Sequence, residues 1–292
     1  MLTPRQRIIY LIESAFRYWT SVRCPSCEGR NYKVIDRKYL ITTLNECEEC
    51  KLCFRHPTDS AEVNRAFYQE EYAEGDGITT FTPDPEDLKS LMNDGFSKFP
   101  TKNADRIKIL FNDLFPGKAN LKVVDYGASW GYISYQLVSC GFDVDSFEIS
   151  KPRANFGNKH LQLHIHTDQD LIRNENEIFF SSHVIEHVPN PRATLGFARS
   201  KICKGGLVVT LCPNGSQAFR EANPGRFKSM WGKVHPNFLT EKFFKKIALD
   251  CPYYIASTPE GWSRISSWDK RSQVISPDLT GPEILFVWIP NP

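Results

Sequence analysis

The sequence predicts an α/β fold: a mostly parallel sheet with an antiparallel edge strand and helices on both faces, preceded by a small cysteine-stapled module. Three observations carry this. The run Val123-Val124-Asp125-Tyr126-Gly127-Ala128-Ser129-Trp130-Gly131 joins β-branched residues to a glycine turn, and Glu148 stands at the end of the next apolar run. Strand-like and helix-like segments alternate from Lys151 to Asn214, the pattern of a parallel sheet covered on both sides. Upstream, the pairs Cys24-Pro25-Ser26-Cys27 and Cys47-Glu48-Glu49-Cys50 lie roughly 15–20 residues apart.

Taken in order, Ile8, Leu11, Ile12, Ala15, Phe16 and Trp19 recur at helical spacing, so residues 1–20 form a docking helix whose apolar face packs on the protein's own body or on a second copy, a homodimer. Residues 21–60 form a zinc ribbon. Each cysteine pair bends the chain so that two thiolates share one ion, and Tyr32 to Leu44 supplies a hairpin between them. Cys24, Cys27, Cys47 and Cys50 are the ligands of one structural zinc. Cys53 lies in an apolar run and reads as core, and His56 is the alternative ligand. Residues 61–118 form a largely helical lead-in, and the sheet domain spans 119–292. Its elements are a helix Tyr132 to Cys140, a helix Lys151 to His160, a strand Leu161 to His166, a strand Ile178 to Ser182, a helix after Pro191, a strand from Gly205, a helix Thr240 to Ala248, a strand Tyr253 to Ser257 and the antiparallel strand Ile284 to Trp288.

The glycine turn selects its ligand. A pyrophosphate site needs G-x-G-x-x-G, whose second glycine lets the phosphates touch the backbone, and here that position is Ser129. An adenosine without phosphates fits better, and Asp125 beside the turn suits a positively charged cofactor. S-adenosylmethionine meets both conditions. Glu148 is placed to accept the ribose hydroxyls, with Ile149 against the adenine.

The stretch from Val123 to Asn214, with VVDYGASWG, FEIS, SSHVIEHVPNP and GGLVVTLCPN in that order, resembles the class I S-adenosylmethionine-dependent methyltransferases. The resemblance implies their Rossmann-like sheet and a cofactor site of Asp125, Gly127, Ala128, Ser129, Gly131, Glu148, Ile149, Asp168 and His183, with Tyr68 or Tyr72 of the lead-in covering the methionine end. Together with CPSC, CEECKLCFRHP and FYQEEYAEG, the chain is similar to the zinc-ribbon branch of these enzymes, many of which act on sugars or secondary metabolites. The sugar C-methyltransferases of that branch carry a further large C-terminal domain for which this length leaves no room, so the resemblance favours a hydroxyl or other heteroatom acceptor.

Methyl transfer from a sulfonium is an in-line displacement that needs positioning and, for a hydroxyl acceptor, removal of a proton. His187 after the fourth strand and His235 after the fifth are the candidate general bases. The segment from Asn214 to Asn237 is too long for a simple connection and caps the acceptor pocket, where Arg220, Arg226 and Lys233 are candidate anion contacts. His183-Val184-Ile185-Glu186-His187 also spells H-x-x-E-H, a helical zinc-protease motif. Pro189 and Pro191 forbid the long helix that motif requires, so a turn is expected.

A net charge of +2 with no basic run speaks against nucleic acid, which leaves an RNA methyltransferase as the alternative enzyme and a non-catalytic cofactor-binding partner as the alternative class. Ile8 to Trp19 is interrupted by Glu13 and Arg17 and is too short to span a bilayer. Nine cysteines without a visible signal peptide imply a reducing, cytoplasmic setting.

Overall fold

The computed structural model describes residues 11–12, 14–59 and 81–291. Its strands are β1 (Tyr32–Lys38), β2 (Thr42–Cys47), β3 (Cys53–His56), β4 (Lys122–Tyr126), β5 (Asp143–Phe147), β6 (Ile165–His166), β7 (Asn176–Ser182), β8 (Ile202–Pro213), β9 (Asn237–Phe238), β10 (Tyr253–Ser257), β11 (Gln273–Ile275) and β12 (Glu283–Trp288). The helices that position the site are α1 (Pro85–Asn93), α2 (Asp105–Leu114), α3 (Tyr132–Ser139), α4 (Lys151–His160), α5 (Pro191–Lys201), α6 (Gln217–Ala222), α7 (Pro224–Met230) and α8 (Glu241–Ala248).

The main sheet runs β11-β10-β12-β8-β7-β4-β5-β6. All neighbours are parallel except β12, which is antiparallel to both β8 and β10. The antiparallel strand expected at the edge is therefore β12, and β10 and β11 continue the sheet beyond it. Strand order reverses between β4 and β7, because the chain leaves β4 toward β5 and returns on the other side. That switch opens a crevice at the carboxyl ends of the strands.

Both faces of the sheet are buried, and successive residues feed opposite cores. Val124, Phe179, Val208 and Phe286 pack on one side against Leu195 and Ala198 of α5 and Phe243 and Phe244 of α8. Val123, Ile178, Phe180, Val209 and Val287 pack on the other against Ile107, Leu110, Phe111 and Leu114 of α2. Burying each such large side chain contributes about 1.5–3 kcal/mol. Helix starts follow the capping rules. Asn190 and Thr240 accept the N–H groups of Ala193 and Phe243 at 3.0 Å each, and Pro191 occupies the first turn of α5.

The cysteine module forms a second sheet, ordered β1-β2-β3-β9. Its last strand comes from the segment after β8, where no local sequence signal marks a partner for the ribbon. Cys53 and Phe54 face Phe238 and Asn237, the Arg55 N–H donates to the Pro236 carbonyl at 2.7 Å, and Thr240 Oγ1 donates to the Lys51 carbonyl at 3.1 Å. Cys24, Cys47, Cys50, Leu52 and Phe54 belong to the same buried cluster as Phe179 and Phe286. The ribbon is thus continuous with the core of the sheet domain.

Ahead of the ribbon, residues 14–17 are helical, and the Tyr18 carbonyl lies 3.3 Å from Nε2 of His56. Phe16 and Trp19 are 83% and 88% exposed, so neither is buried against the protein's own body. Tyr68, Tyr72 and the first part of the lead-in lie outside the described residues. No helix among the described residues is long and apolar enough to cross a membrane.

Candidate functional site

The switch crevice opens into a cleft of about 1270 Å³. Its floor is the loop after β4. Gly127 and Gly131 have φ of +88° and +85°, and a Cβ on Gly127 would lie 2.2 Å from Val184 Cγ2. A Cβ on Gly131 would lie 2.4 Å from Leu163 Cδ1. Glycine at these positions lets the loop turn left-handed and lets the neighbouring elements close on it. The Gly127 and Ala128 N–H groups both donate to the Phe147 carbonyl, at 2.8 and 2.9 Å. Ser129 also has positive φ, 54°, and its N–H donates to Glu148 Oε2 at 2.8 Å. Trp130 turns away from the cleft into a cluster with Leu88, Leu91 and Phe96, which anchors α1 and the following segment behind the loop.

Gly127, Ser129, Glu148, Ile149 and Asp168 line the cleft on the β5 side. Glu148 is 6% exposed, and its Oε1 accepts the Ser150 N–H at 2.7 Å. Burial raises its pKa, against the two backbone hydrogen bonds and the nearby Arg153. Each carboxylate oxygen retains a lone pair for a further donor. Tyr126 also lines the cleft, stacked on Phe147 at 4.9 Å, with its hydroxyl donating to Gln169 Oε1 at 2.9 Å. Ala128 and Gly131 shape the loop from behind rather than lining the cleft. Asp125, expected beside the ligand, is 2% exposed beneath the loop and accepts the Ser134 hydroxyl at 2.6 Å. Burial pushes its carboxyl up to about 6. Any influence of Asp125 on a ligand acts through space.

On the opposite side of β4, the tip of β7 carries His183 to His187. These residues form turns, closed by the His187 N–H donating to the Val184 carbonyl at 2.9 Å, and not the helix of a zinc protease. His183, at φ 54°, lines the cleft with its Nε2 2.8 Å from Glu283 Oε1 at the start of β12. The side chain is 43% exposed, so the desolvation that opposes its charge is partial, and Glu186 and Glu283 outweigh it and raise the pKa to about 10. His183 is therefore an imidazolium at neutral pH, placed between two carboxylates on the β7 side.

His187 and His235 both line the cleft, with ring centroids 4.9 Å apart. The cap segment brings them together: the Asn237 N–H and Nδ2 donate to the Glu186 and Val188 carbonyls at 3.1 and 2.8 Å. Burial holds the His187 pKa down to about 4, so its ring is neutral above that pH. Glu186 lies beneath the pair, fully buried. Burial opposes its charge too, yet the surrounding imidazoles, His183 above all because His187 stays neutral, keep its carboxyl below the usual range. The cap also packs on the ribbon, with Trp231 Nε1 donating to Asp36 Oδ2 at 2.8 Å and Lys38 Nζ over the indole at 4.4 Å. Of its cations, Arg220 lies over the Phe227 ring, and Arg220, Arg226 and Lys233 do not line the cleft.

Sequence reasoning missed several cleft residues: Arg106 on α2, Thr258, Trp262 and Glu283. Glu283 pairs with a histidine one hundred positions away, and no local pattern marks it.

In the ribbon, Cys24 Sγ lies 3.4 Å from Cys50 Sγ and Cys27 Sγ 3.5 Å from Cys47 Sγ, and all four sulfurs lie within 4.8 Å of one another. Two matching turns create this. The Glu28 N–H donates to the Cys24 carbonyl at 2.9 Å and the Lys51 N–H to the Cys47 carbonyl at 3.0 Å. Without a cation the hydrogen bond to Cys50 and burial push the Cys24 thiol up, while the same bond holds Cys50 down to about 5. Four sulfurs so close ionise together only around a metal, and the donor set fits tetrahedral zinc. Cys53 is buried in a different cluster and His56 bonds the Tyr18 carbonyl, so neither joins the four.

A family model described as a methyltransferase domain matches residues 96–251. No curated protein matches the chain. Among solved structures, the plantazolicin methyltransferase BpumL, in complex with a pentazolic desmethylPZN analog and SAH, is 15% identical at a TM-score of 0.50, covering 80% of this chain and 97% of its own. Magnesium protoporphyrin IX methyltransferase (ChlM) from Synechocystis PCC 6803, with bound SAM, is 14% identical at a TM-score of 0.48, covering 80% and 98%. A possible histamine N-methyltransferase from Thermotoga maritima is 16% identical at 0.44, covering 69% and 97%.

Proposed function

The chain belongs to the methyltransferase-domain family and is an S-adenosylmethionine-dependent methyltransferase, and from that premise we propose that it methylates a hydroxyl of a sugar, glycan or related polar small molecule. The observation that carries the reading is the division of one cleft by β4. Glu148, with spare lone pairs, stands on the β5 side, and the histidines stand on the β7 side.

In this reading Glu148 accepts the ribose hydroxyls, and Ile149 lies on the adenine. Gly127 and Ser129 shape the floor, and Asp168 lies toward the adenosine end. Asp125 contributes negative potential from below, and Ala128 and Gly131 hold the loop's form. A diphosphate would meet the Ser129 side chain and the Glu148 carboxylate, which disfavours it. The methyl group faces the β7 side, where the transfer is a displacement at carbon: the acceptor oxygen forms the new bond, the sulfur keeps the electrons of the old one, and the acceptor's proton leaves. His187 and His235 are the groups nearest that proton, and Trp262 offers an apolar face for a sugar ring. One zinc held by Cys24, Cys27, Cys47 and Cys50 is structural. The exposed Phe16 and Trp19 suit a contact with a second copy.

The test is transfer of labelled methyl from S-adenosylmethionine to a panel of nucleotide sugars, free glycans and phenolic, amine and peptide acceptors. Label confined to amines or peptides would refute the hydroxyl assignment. His187→Ala and His235→Ala, each with cofactor binding retained, report on proton removal.

A further inference from the structure

We propose that Glu186, His187 and His235 hold a second metal ion, a divalent transition cation of the manganese, iron, cobalt or zinc class, whose open coordination positions face the acceptor. Each of the three offers a ligand atom, and these atoms lie within 4.8 Å of one another.

The strongest indication is Glu186. It is fully buried, and neither carboxylate oxygen has a hydrogen-bond partner among the described residues. The nearest nitrogens, His183 Nδ1 and His187 Nε2, both stand 3.6 Å from Oε1, beyond hydrogen-bond reach. A buried carboxylate in that condition is costly, and an ion pair with His183 balances its charge without supplying the missing contacts. His183 is moreover engaged by Glu283 at 2.8 Å.

The imidazoles are oriented as ligands are. His187 Nδ1 lies 2.5 Å from the Val234 carbonyl and His235 Nδ1 2.7 Å from the Met230 carbonyl. A carbonyl only accepts, so in each ring Nδ1 carries the hydrogen and Nε2 carries the lone pair, the arrangement that fixes a metal-binding tautomer. The two loops that supply the ligands are joined through Asn237, which bonds the Glu186 and Val188 carbonyls two positions after His235. The site is preorganised by the fold. Two nitrogens and one carboxylate suit a divalent cation of intermediate softness, and three protein ligands leave positions open on the side where His187 and His235 line the cleft.

The consequence for chemistry rests on the methyl-transfer reading, although ion binding does not. The acceptor hydroxyl occupies an open position and is acidified there. Its proton passes to solvent, its oxygen forms the bond to the methyl carbon, and the sulfur of the donor retains the electron pair of the broken bond. The oxidation state of the ion does not change. The two histidines then act on the acceptor through the cation rather than as free bases.

Equilibrium dialysis of the zinc-replete full chain against Mn²⁺, and separately Co²⁺, tests the site, because thiolate ligands keep the ribbon for zinc. The expected result is one added ion per chain. Glu186→Gln and His235→Ala should each weaken its binding at least tenfold while the ribbon zinc and calorimetric binding of S-adenosylhomocysteine persist. Failure of both metals to bind the wild-type chain, or binding unchanged in the double variant, would overturn the proposal. An added ion in a chain that binds no S-adenosylhomocysteine would retain the metal site and overturn its role in methyl transfer.

Discussion

Glu148 braces the loop it is proposed to serve: its Oε2 accepts the Ser129 N–H at 2.8 Å across the mouth of the first crossover. The same carboxylate accepts the Ser150 N–H, so the tip of β5, the start of α4 and the glycine turn are fixed by one side chain. This relationship explains how a loop with a non-glycine residue at φ 54° keeps its shape without phosphates to organise it.

The loop's tolerance is the first expectation. Gly127→Ala places a methyl group 2.2 Å from Val184 Cγ2 at a φ of +88°. Left-handed strain and overpacking together should lower stability by about 2–4 kcal/mol and weaken S-adenosylhomocysteine binding. Adding Val184→Ala should restore the steric part and leave the backbone part. Chemical denaturation of the wild type and the two variants measures the split, and an unchanged midpoint in Gly127→Ala would contradict it.

Asp125 gives a pH signature. Burial raises its folded pKa to about 6, above the unfolded carboxylate value, so the folded state holds the extra proton between the two. Its contribution is therefore most favourable at low pH and is lost as pH rises through about 6. Asp125→Asn should remove that loss, making the variant more stable than wild type by about 1–3 kcal/mol at pH 8, with little gain at pH 4. Melting curves at the two pH values decide this. The same variant should lower affinity for cationic S-adenosylmethionine more than for neutral S-adenosylhomocysteine.

Much of this was legible in the residues. Strands β4, β7 and β8 read well because continuous apolar runs and glycine turns are local signals, and α4 runs from Lys151 to His160 as its pattern implied. The cysteine spacing likewise brought together the four sulfurs it named. The losses have one cause, contacts between segments far apart. β9 is two residues long and acquires its identity from β3, and β11 is an exposed three-residue strand defined by β10. The strand expected over Leu161 to His166 is reduced to Ile165–His166, and the Asn158 side chain bonds the backbone of Ile165. Asp125, read as a ligand contact, answers instead to the Ser134 hydroxyl nine positions on.

β9 changes what zinc removal should do. The pairing of β3 with β9 and the Asn237 bond to Glu186 tie the ribbon to His235. Chelation should abolish exchange protection at the Asn237 amide and reduce methyl transfer at least tenfold, while S-adenosylhomocysteine still binds the β5 side. Hydrogen exchange resolved over residues 232–240 reads the first effect. Protection that survives complete loss of zinc would separate ribbon from site.

The cofactor assignment is tested most directly by calorimetric titration of the zinc-replete chain and its Glu148→Ala variant with S-adenosylhomocysteine, and of the wild type with a nicotinamide dinucleotide. One molecule of the thioether should bind per chain, with a loss of roughly 30–100-fold in the variant for the carboxylate-to-ribose hydrogen bonds, and the dinucleotide should not bind. Dinucleotide binding, or thioether affinity indifferent to Glu148, would contradict the assignment.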